Sequence, residues 1–329
     1  MRFAQVQRMK SEVETAPVRS QPQSMPENIR SVQPGSGKCY RIELAWGQLR
    51  RWILKRFRPR YVRRMAQLRL GDASGAPHEI LDPRDLKFCC NLCDCHWLEA
   101  DDPFRWREKI PFARWGLAEL QLMGWPLLAA SIALALLGTP YVFGAPVVGI
   151  LFILVVYFFR DPQRTIPGEP GLVVSPADGK VVEITSIEND EFIGGPAVRI
   201  SIFLSLLNVH INRAPSESRV IRMRYTPGLF FNAMNPLSAL KNENLWIALE
   251  EEVSPHRRLV VRQISGMIAR RIVCQLKPGD VIERGEKFGM IKLGSRTELI
   301  FPDNDDLKVE VKLGQSVSAG STIMARYAS

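Results

Sequence analysis

Charge is missing from a long central stretch of this chain: the 40 residues from Leu120 to Phe159 carry none. A core helix of ordinary length needs no such run, whereas two crossings of a bilayer's hydrocarbon do. Gly138-Thr139-Pro140 divides the stretch, so a two-pass hairpin is expected over 120–165. Pro126, Gly144 and Pro146 roughen the pattern and leave a shallow re-entrant hairpin open. Arg105, Arg107, Lys109 and Arg114 precede the run, and Arg160 and Arg164 follow it. By the positive-inside bias both ends then face the cytoplasmic side of the cell membrane.

Other absences narrow the class. Residues 1–38 have no apolar cluster and are rich in Pro, Ser, Gln and charge, which predicts a disordered tail over 1–40 and no secretory leader. The six cysteines lack the spacing of a disulfide framework, so a reducing setting is expected. Cys89, Cys90, Cys93 and Cys95 crowd together beside His96, and Cys90 with Cys93 makes one knuckle. The second knuckle that a tetrahedral zinc site normally takes is missing. A metal, a redox thiol cluster and plain packing stay open, and no metal ligand is assigned. Asp303-Asn304-Asp305-Asp306 lacks the central Gly and closing Glu of a calcium loop and reads as a solvated turn. No internal repeat is evident.

Acids are nearly absent from residues 41–69, where Glu43 faces ten Arg or Lys, a local +9 within a chain of net +10. Such a balance calls for an anionic partner, nucleic acid or an acidic membrane surface. From Leu44 to Phe57, Leu49, Ile53 and Phe57 recur at four-residue spacing with Trp46 and Trp52 nearby; Arg50, Arg51, Lys55 and Arg56 fill the other side, and Pro59 stops the run. The pattern predicts an amphipathic basic helix within an extension over 41–119. An aromatic-plus-Arg helix suits a membrane surface, and a charged face packed on the main domain is the plainer alternative. No nucleic-acid partner is expected.

From about 166 to 329 the texture turns to short β-rich runs broken by Pro and Gly. Strands are predicted at Lys180–Ile187, Ala197–Leu206, Arg219–Tyr225, Arg258–Ile264, Ala269–Gln275 and Leu307–Leu313, with short ones at Val281–Glu283 and Ser316–Ser318. Phe230–Asn244 reads as helix or loop. The fold class is α+β: a β-dominated domain preceded by a hydrophobic helical hairpin and an N-terminal extension.

Three segments carry chemistry: Ser175-Pro176-Ala177-Asp178-Gly179-Lys180-Val181, Asn208-Val209-His210-Ile211-Asn212-Arg213-Ala214-Pro215 and Met290-Ile291-Lys292-Leu293-Gly294-Ser295-Arg296. Taken singly, Asp178-Gly179 is an ordinary turn, His210 a satisfied buried side chain, and Gly294-Ser295 a common pair. In this order, they resemble the phosphatidylserine decarboxylases, whose proenzymes cut themselves at a Gly-Ser bond. The likeness covers about 170 residues from Phe158 to the end, including Phe158-Phe159-Arg160-Asp161-Pro162 and Gln263-Ile264-Ser265-Gly266-Met267-Ile268-Ala269-Arg270-Arg271-Ile272. It also takes in the block Tyr225, Gly228, Phe231-Asn232-Ala233 and Asn242-Glu243. The sequence Leu293-Gly294-Ser295-Arg296 is closest to the short bacterial and archaeal type. Leu237-Ser238-Ala239-Leu240 is apolar where the family is more polar, and residues 1–119 have no counterpart in the compact family core.

The resemblance implies cleavage between Gly294 and Ser295, and a pyruvoyl group made from Ser295 as the cofactor. Removing CO2 from an amino acid leaves a carbanion that needs an electron sink on the amine nitrogen, and a ketone carried by the chain supplies one as a Schiff base. Making it requires Ser295 to attack the preceding carbonyl, with ester formation, β-elimination to dehydroalanine and release of ammonia. A hydroxyl is a weak nucleophile, so a base is needed: the resemblance gives that role to His210, with Asp178 orienting the imidazole. The implied reaction converts phosphatidylserine to phosphatidylethanolamine and CO2, the two cleaved chains remaining associated. The same chemistry on an archaetidylserine-like lipid, and a non-catalytic membrane adaptor, are the alternatives.

Overall fold

The computed structural model describes residues 19–35, 37–89, 92–235, 237–267, 271–292 and 294–328, with Lys38 and Cys39 by backbone alone. Its β domain contains β1 (Leu172–Val174), β2 (Gly179–Asp190), β3 (Gly195–Leu204), β4 (Ile211–Arg213), β5 (Ser218–Thr226), β6 (Asn244–Glu251) and β7 (Arg258–Ile264). There follow β8 (Ile272–Cys274), β9 (Val281–Ile282), β10 (Lys287–Ile291), β11 (Ser295–Pro302), β12 (Leu307–Val309), β13 (Ser316–Val317) and β14 (Ile323–Tyr327). One antiparallel sheet takes the order β13-β2-β3-β11-β7-β6-β5-β9, flanked by two small sheets, β1-β14-β12 and β4-β10-β8. The architecture is α+β, as the sequence implies.

The large sheet is covered on both faces, and the two-residue period of a strand sorts its side chains. Leu245, Ile247 and Leu249 of β6 join Leu259, Val261 and Leu299 in the main core. Their alternates Trp246 and Ala248 pack with Val260 and Ile300 on the other face, where Phe192 meets Trp246 edge-on at 5.7 Å. Full burial of each large aliphatic side chain contributes about 1.5–3 kcal/mol, so the central strands anchor the domain.

The N-terminal segment departs from expectation. Residues 1–18 lie outside the described residues, but 19–35 run along the β domain instead of forming a disordered tail. Ile29 and Val32 are buried, Gln23 donates its amide to Ile221 O at 2.8 Å, and Cys274 donates to Val32 O at 2.8 Å. Ser20 binds the buried Glu250 carboxylate through its amide at 3.0 Å. These sequence-distant partners offset the ordering entropy that the segment's composition cannot.

Helices α1 (Lys38–Phe57) and α2 (Pro59–Leu68) make the basic extension. The helix breaks at Arg58, and Pro59 opens the second helix at its first turn, where the missing N–H costs nothing. The orientation of α1 reverses the usual sense. Arg50 and Arg51 point inward onto Asp82 and Asp85, Arg51 at 3.2 Å from Asp85, whereas Trp46, Leu49, Trp52 and Phe57 are exposed. Lys55 pairs with Glu79 at 2.7 Å. The arginines left facing outward are Arg41, Arg56, Arg58, Arg60, Arg63 and Arg64.

Cys89, Cys93 and Cys95 sit in a small core with Met65, Ile80 and Trp97. Cys93 Sγ lies 3.5 Å from Cys95 Sγ, and burial pushes the Cys95 thiol up to about 12, followed by its contact with Cys93. His96 is exposed. Cys90 of the CxxC pair lies outside the described residues.

Helices α3 (Leu117–Leu136) and α4 (Ala145–Phe158) form an antiparallel hairpin. At 1.5 Å per residue, the 20 residues of α3 span about 30 Å, one hydrocarbon thickness. The 14 residues of α4 are extended by the 3₁₀ turn Tyr141–Gly144 to an 18-residue apolar segment. Both are long and apolar enough to cross a membrane. Ser131 ties them by donating to Ala145 O at 2.9 Å, and most of their large apolar side chains, Trp125, Leu136 and Ile153 among them, are exposed.

Candidate active site

Ser295 opens β11, a central strand pairing with β3 at Ser295–Leu204 and with β7 from Arg296 onward. The residue before it turns the chain: Gly294 has φ 70°, a left-handed conformation that glycine adopts without strain. Ser295 is fully buried, and its Oγ has no hydrogen-bond partner among the described residues. A buried hydroxyl left without a partner costs about 1–3 kcal/mol, an expense that marks functional positions.

His210 meets this turn from the loop between β3 and β4. Its Nε2 accepts a hydrogen bond from the Gly294 amide at 3.0 Å. Its Nδ1 lies 2.9 Å from Asn208 O, a partner that can only accept. The two contacts fix one tautomer: Nδ1 carries the proton and Nε2 presents its lone pair toward the Gly294-Ser295 turn. The ring is fully buried, with Phe158 at 4.5 Å. Burial pulls its pKa down to about 4, against the Asn208 carbonyl, which raises it, with Arg160 adding to the fall. The imidazole is therefore a neutral base at neutral pH.

Asp178 stands in a different relation to His210 from the one the resemblance implies. Its carboxylate binds Arg164 at 2.6 Å and accepts the Ala319 amide at 2.8 Å, while the His210 Nδ1 position is taken by Asn208 O. The structure thus brings Gly294, Ser295 and His210 together directly. Asp178 connects through its turn, where Pro176 O accepts from Asn212 Nδ2 at 3.3 Å. Asn212 also donates to Thr297 Oγ1 of β11 at 3.2 Å and accepts from Gln263 at 2.8 Å. This buried ladder locks the histidine segment to the serine strand, and its members gave no signal of their own in the sequence.

Two neighbours were missed as site residues. Gly266 presses against the turn so closely that a Cβ there would overlap the Gly294 carbonyl oxygen. Glu243, buried in the loop whose Asn242 donates to Ser265 O at 2.8 Å, is raised to about 7 by burial, with the Tyr225 hydroxyl and Arg271 opposing. The surface segments nearest the turn are apolar, with Leu206, Leu207, Leu229, Met234 and Met267 exposed. At the hairpin's end, Arg160 donates to Tyr157 O and Leu207 O, each at 2.8 Å. In the first turn of α3, Glu119 forms a buried ion pair with Lys292, two residues before the glycine.

A buried serine after a left-handed glycine, with a neutral histidine on the same turn, is an arrangement suited to nucleophilic chemistry, in a chain that also carries two helices long and apolar enough to cross a membrane. The family model for phosphatidylserine decarboxylase matches residues 151–325. The phosphatidylserine decarboxylase proenzyme of Rhodopirellula baltica is 48% identical over 246 residues, covering 74% of this chain and 99% of that protein. The one of Symbiobacterium thermophilum is 42% identical over 205 residues, 62% of this chain and 93% of its own length, and that of Desulfotalea psychrophila 44% over 170 residues, 52% and 78% respectively. This chain belongs to the phosphatidylserine decarboxylase family.

Proposed function

We propose that this chain is a self-cleaving proenzyme whose Ser295 becomes the pyruvoyl group used to decarboxylate phosphatidylserine to phosphatidylethanolamine and CO2. The observation that carries the proposal is the unpartnered, buried Ser295 Oγ beside a neutral His210 that already holds the Gly294 amide. These residues fit the group: a serine at the start of a strand, with the preceding carbonyl exposed to its own hydroxyl by a left-handed glycine. His210 exchanges the Gly294 N–H for the Ser295 hydroxyl and takes its proton as Oγ attacks the Gly294 carbonyl. The C–N bond then breaks, leaving an ester and a free amine. Elimination across Cα–Cβ releases the new Gly294 carboxylate, and water displaces ammonia from the remaining residue. Asp178 acts as a positioning residue through its turn and Asn212.

A pyruvoyl carbonyl supplies the electron sink conjugated to the substrate's amine nitrogen. His210 is placed to hold or move a proton at its Nε2 during the later reaction. The exposed leucines and methionines near the turn would seat this face on the bilayer, where a two-chained substrate is found, while α3 and α4 cross it with both ends cytoplasmic. The outward arginines of α1 and α2 would meet the acidic surface. The small chain should stay bound after cleavage because β11 lies between β3 and β7 in the middle of the sheet.

A denaturing gel tests the proposal. Cleavage would yield a fragment of 35 residues, 295–329, about 4 kDa of the 37.2 kDa chain. Mass spectrometry would find the pyruvoyl group at its N-terminus. A single intact chain with decarboxylase activity would refute it.

A further inference from the structure

Away from Ser295, a cavity of about 870 Å³ lies between the extension and the first turns of α3. Its size is in the range of small-molecule sites. Its lining includes none of Asp178, His210, Gly294 or Ser295. One wall, Trp115, belongs to the buried cluster that also contains Phe158, so packed side chains separate the cavity from the histidine.

Three guanidinium groups surround one ring in this cavity: Arg107, Arg84 and Arg50 lie 4.9, 5.4 and 5.7 Å from the centre of Phe104. Arg50 is engaged by Asp82 and Asp85. Arg84 and Arg107 have no ion pair among the described residues, and Arg107 Nε is buried with no hydrogen-bond partner. Each lining carboxylate has a partner of its own, although one buried Glu43 oxygen is left over and Asp102 also faces Arg107 electrostatically. Asp85 serves Arg51 and the Leu81 amide, Glu43 serves Lys87, Glu99 serves Arg105, and the Asp102 carboxylate caps the Phe104 amide at 2.7 Å. Burial first, then the neighbouring Arg84, Arg114 and Arg50, pull Arg107 down to about 10 against the opposing pull of Asp102. A folded chain that confines like charges this way leaves room for an anion to relieve them.

The other half of the cavity is apolar and continuous with the membrane helix. Leu117, Leu122 and Trp125 of α3 line it, and Trp46, Trp106 and Trp125 are exposed at its rim. From Leu117 to Trp125 is about 12 Å along the helix, the depth of an interfacial layer, where tryptophans concentrate.

We propose that this cavity binds an anionic glycerophospholipid, its phosphate held between Arg84 and Arg107 and its chains lying along Leu122 and Trp125. Two free guanidiniums favour a lipid of net negative charge over one whose headgroup carries its own ammonium. The site goes beyond the catalytic reading and needs nothing of Ser295. It would keep the enzyme in acidic lipid, where its substrate is, and favour neither phosphatidylethanolamine nor phosphatidylcholine.

The test is quenching of tryptophan fluorescence by lipid brominated along its chains, using the full-length protein in phosphatidylcholine nanodiscs. Brominated phosphatidylglycerol should quench saturably at low mole fraction, while brominated phosphatidylcholine does so only in proportion to its amount. The R84Q/R107Q variant should need about tenfold more phosphatidylglycerol for half-saturation. R60Q/R63Q/R64Q, which strips outward charge from α2, should keep the saturable component. Thermal unfolding gives the second reading: phosphatidylglycerol should raise the midpoint of the parent and of R84K/R107K more than that of R84Q/R107Q. Equal quenching by the two lipids in the parent would overturn the proposal, as would parental affinity in R84Q/R107Q. So would loss of the preference in R60Q/R63Q/R64Q alone, or displacement of the lipid by inorganic phosphate, which would make this a free-anion site.

Discussion

Burial of His210 gives a quantitative expectation for pH. The ring is fully buried against Phe158, and its pKa falls from 6.5 to about 4 chiefly by loss of water. The neutral, proton-accepting form therefore persists until the pH drops through about 4. Cleavage of freshly translated proenzyme, shifted to a series of pH values and followed on gels, should stay on its plateau through pH 6.5 and be halved only near 4. The same burial has a stability consequence of definite sign. The unfolded chain protonates its histidine below about 6.5 while the folded one resists until about 4, so the folded state loses ground as pH falls across that window. At about 1.4 kcal/mol for each pH unit, the loss is about 3 kcal/mol. Ser295→Ala, which should remain uncut, provides the background in which to measure it. Adding His210→Gln keeps an oxygen to accept the Gly294 amide and removes the titration. Melting of the two proteins should diverge between pH 6.5 and about 4, the histidine protein weakening faster. Parallel curves, or cleavage halved near 6.5, would mean that the ring is solvated or is not the base.

Further expectations follow from individual contacts. Ser295→Ala should give one inactive chain, and normal processing in it would remove the basis of the mechanism. Gly266→Ala should slow cleavage by an order of magnitude or more, because its methyl meets the scissile carbonyl while the folded sheet survives; gel time courses with circular dichroism separate the two effects. Asp178→Asn weakens the Arg164 pair and should slow cleavage less than His210→Ala does, since it acts through the turn; equal loss would point to direct contact with the imidazole in the reacting state. Lys292→Met leaves buried Glu119 with only the longer Arg271 contact at 3.9 Å and should cost up to about 3 kcal/mol in melting experiments, with much of the loss recovered in Glu119→Gln/Lys292→Met.

Where the sequence was misleading, burial on two sides was the reason. The strand 244–251 is buried at every position, so it shows no alternation, and no strand is predicted there; only Asn244 falls within the helix-or-loop segment 230–244. The strand beginning at Ser295 was missed for the same cause: Ser295, Arg296, Thr297 and Glu298 are all buried, the arginine and glutamate paired to each other at 3.3 Å and to Glu183 and Arg262. Polar residues satisfied by distant strands read as surface when only neighbours along the chain are visible. A strand with an open side, β2, is found where the pattern predicts Lys180–Ile187, which falls one residue short at its start and three at its end.

The sequence by itself determined the helical hairpin, because forty uncharged residues have few other fates, and it singled out Ser295 as the candidate, because a motif is a local string. It also determined the family. Tertiary structure decided the rest: that Arg50 and Arg51 turn inward while the tryptophans of α1 face out, and that residues 19–35 are ordered by the β domain. It decided too that His210 is held by Asn208 and Gly294, and that Asp178 reaches Arg164 and Ala319. Each of these depends on which acid, carbonyl or apolar wall arrives from elsewhere in the chain. A charge or a hydrophobic face states only what it needs, and folding decides which partner supplies it.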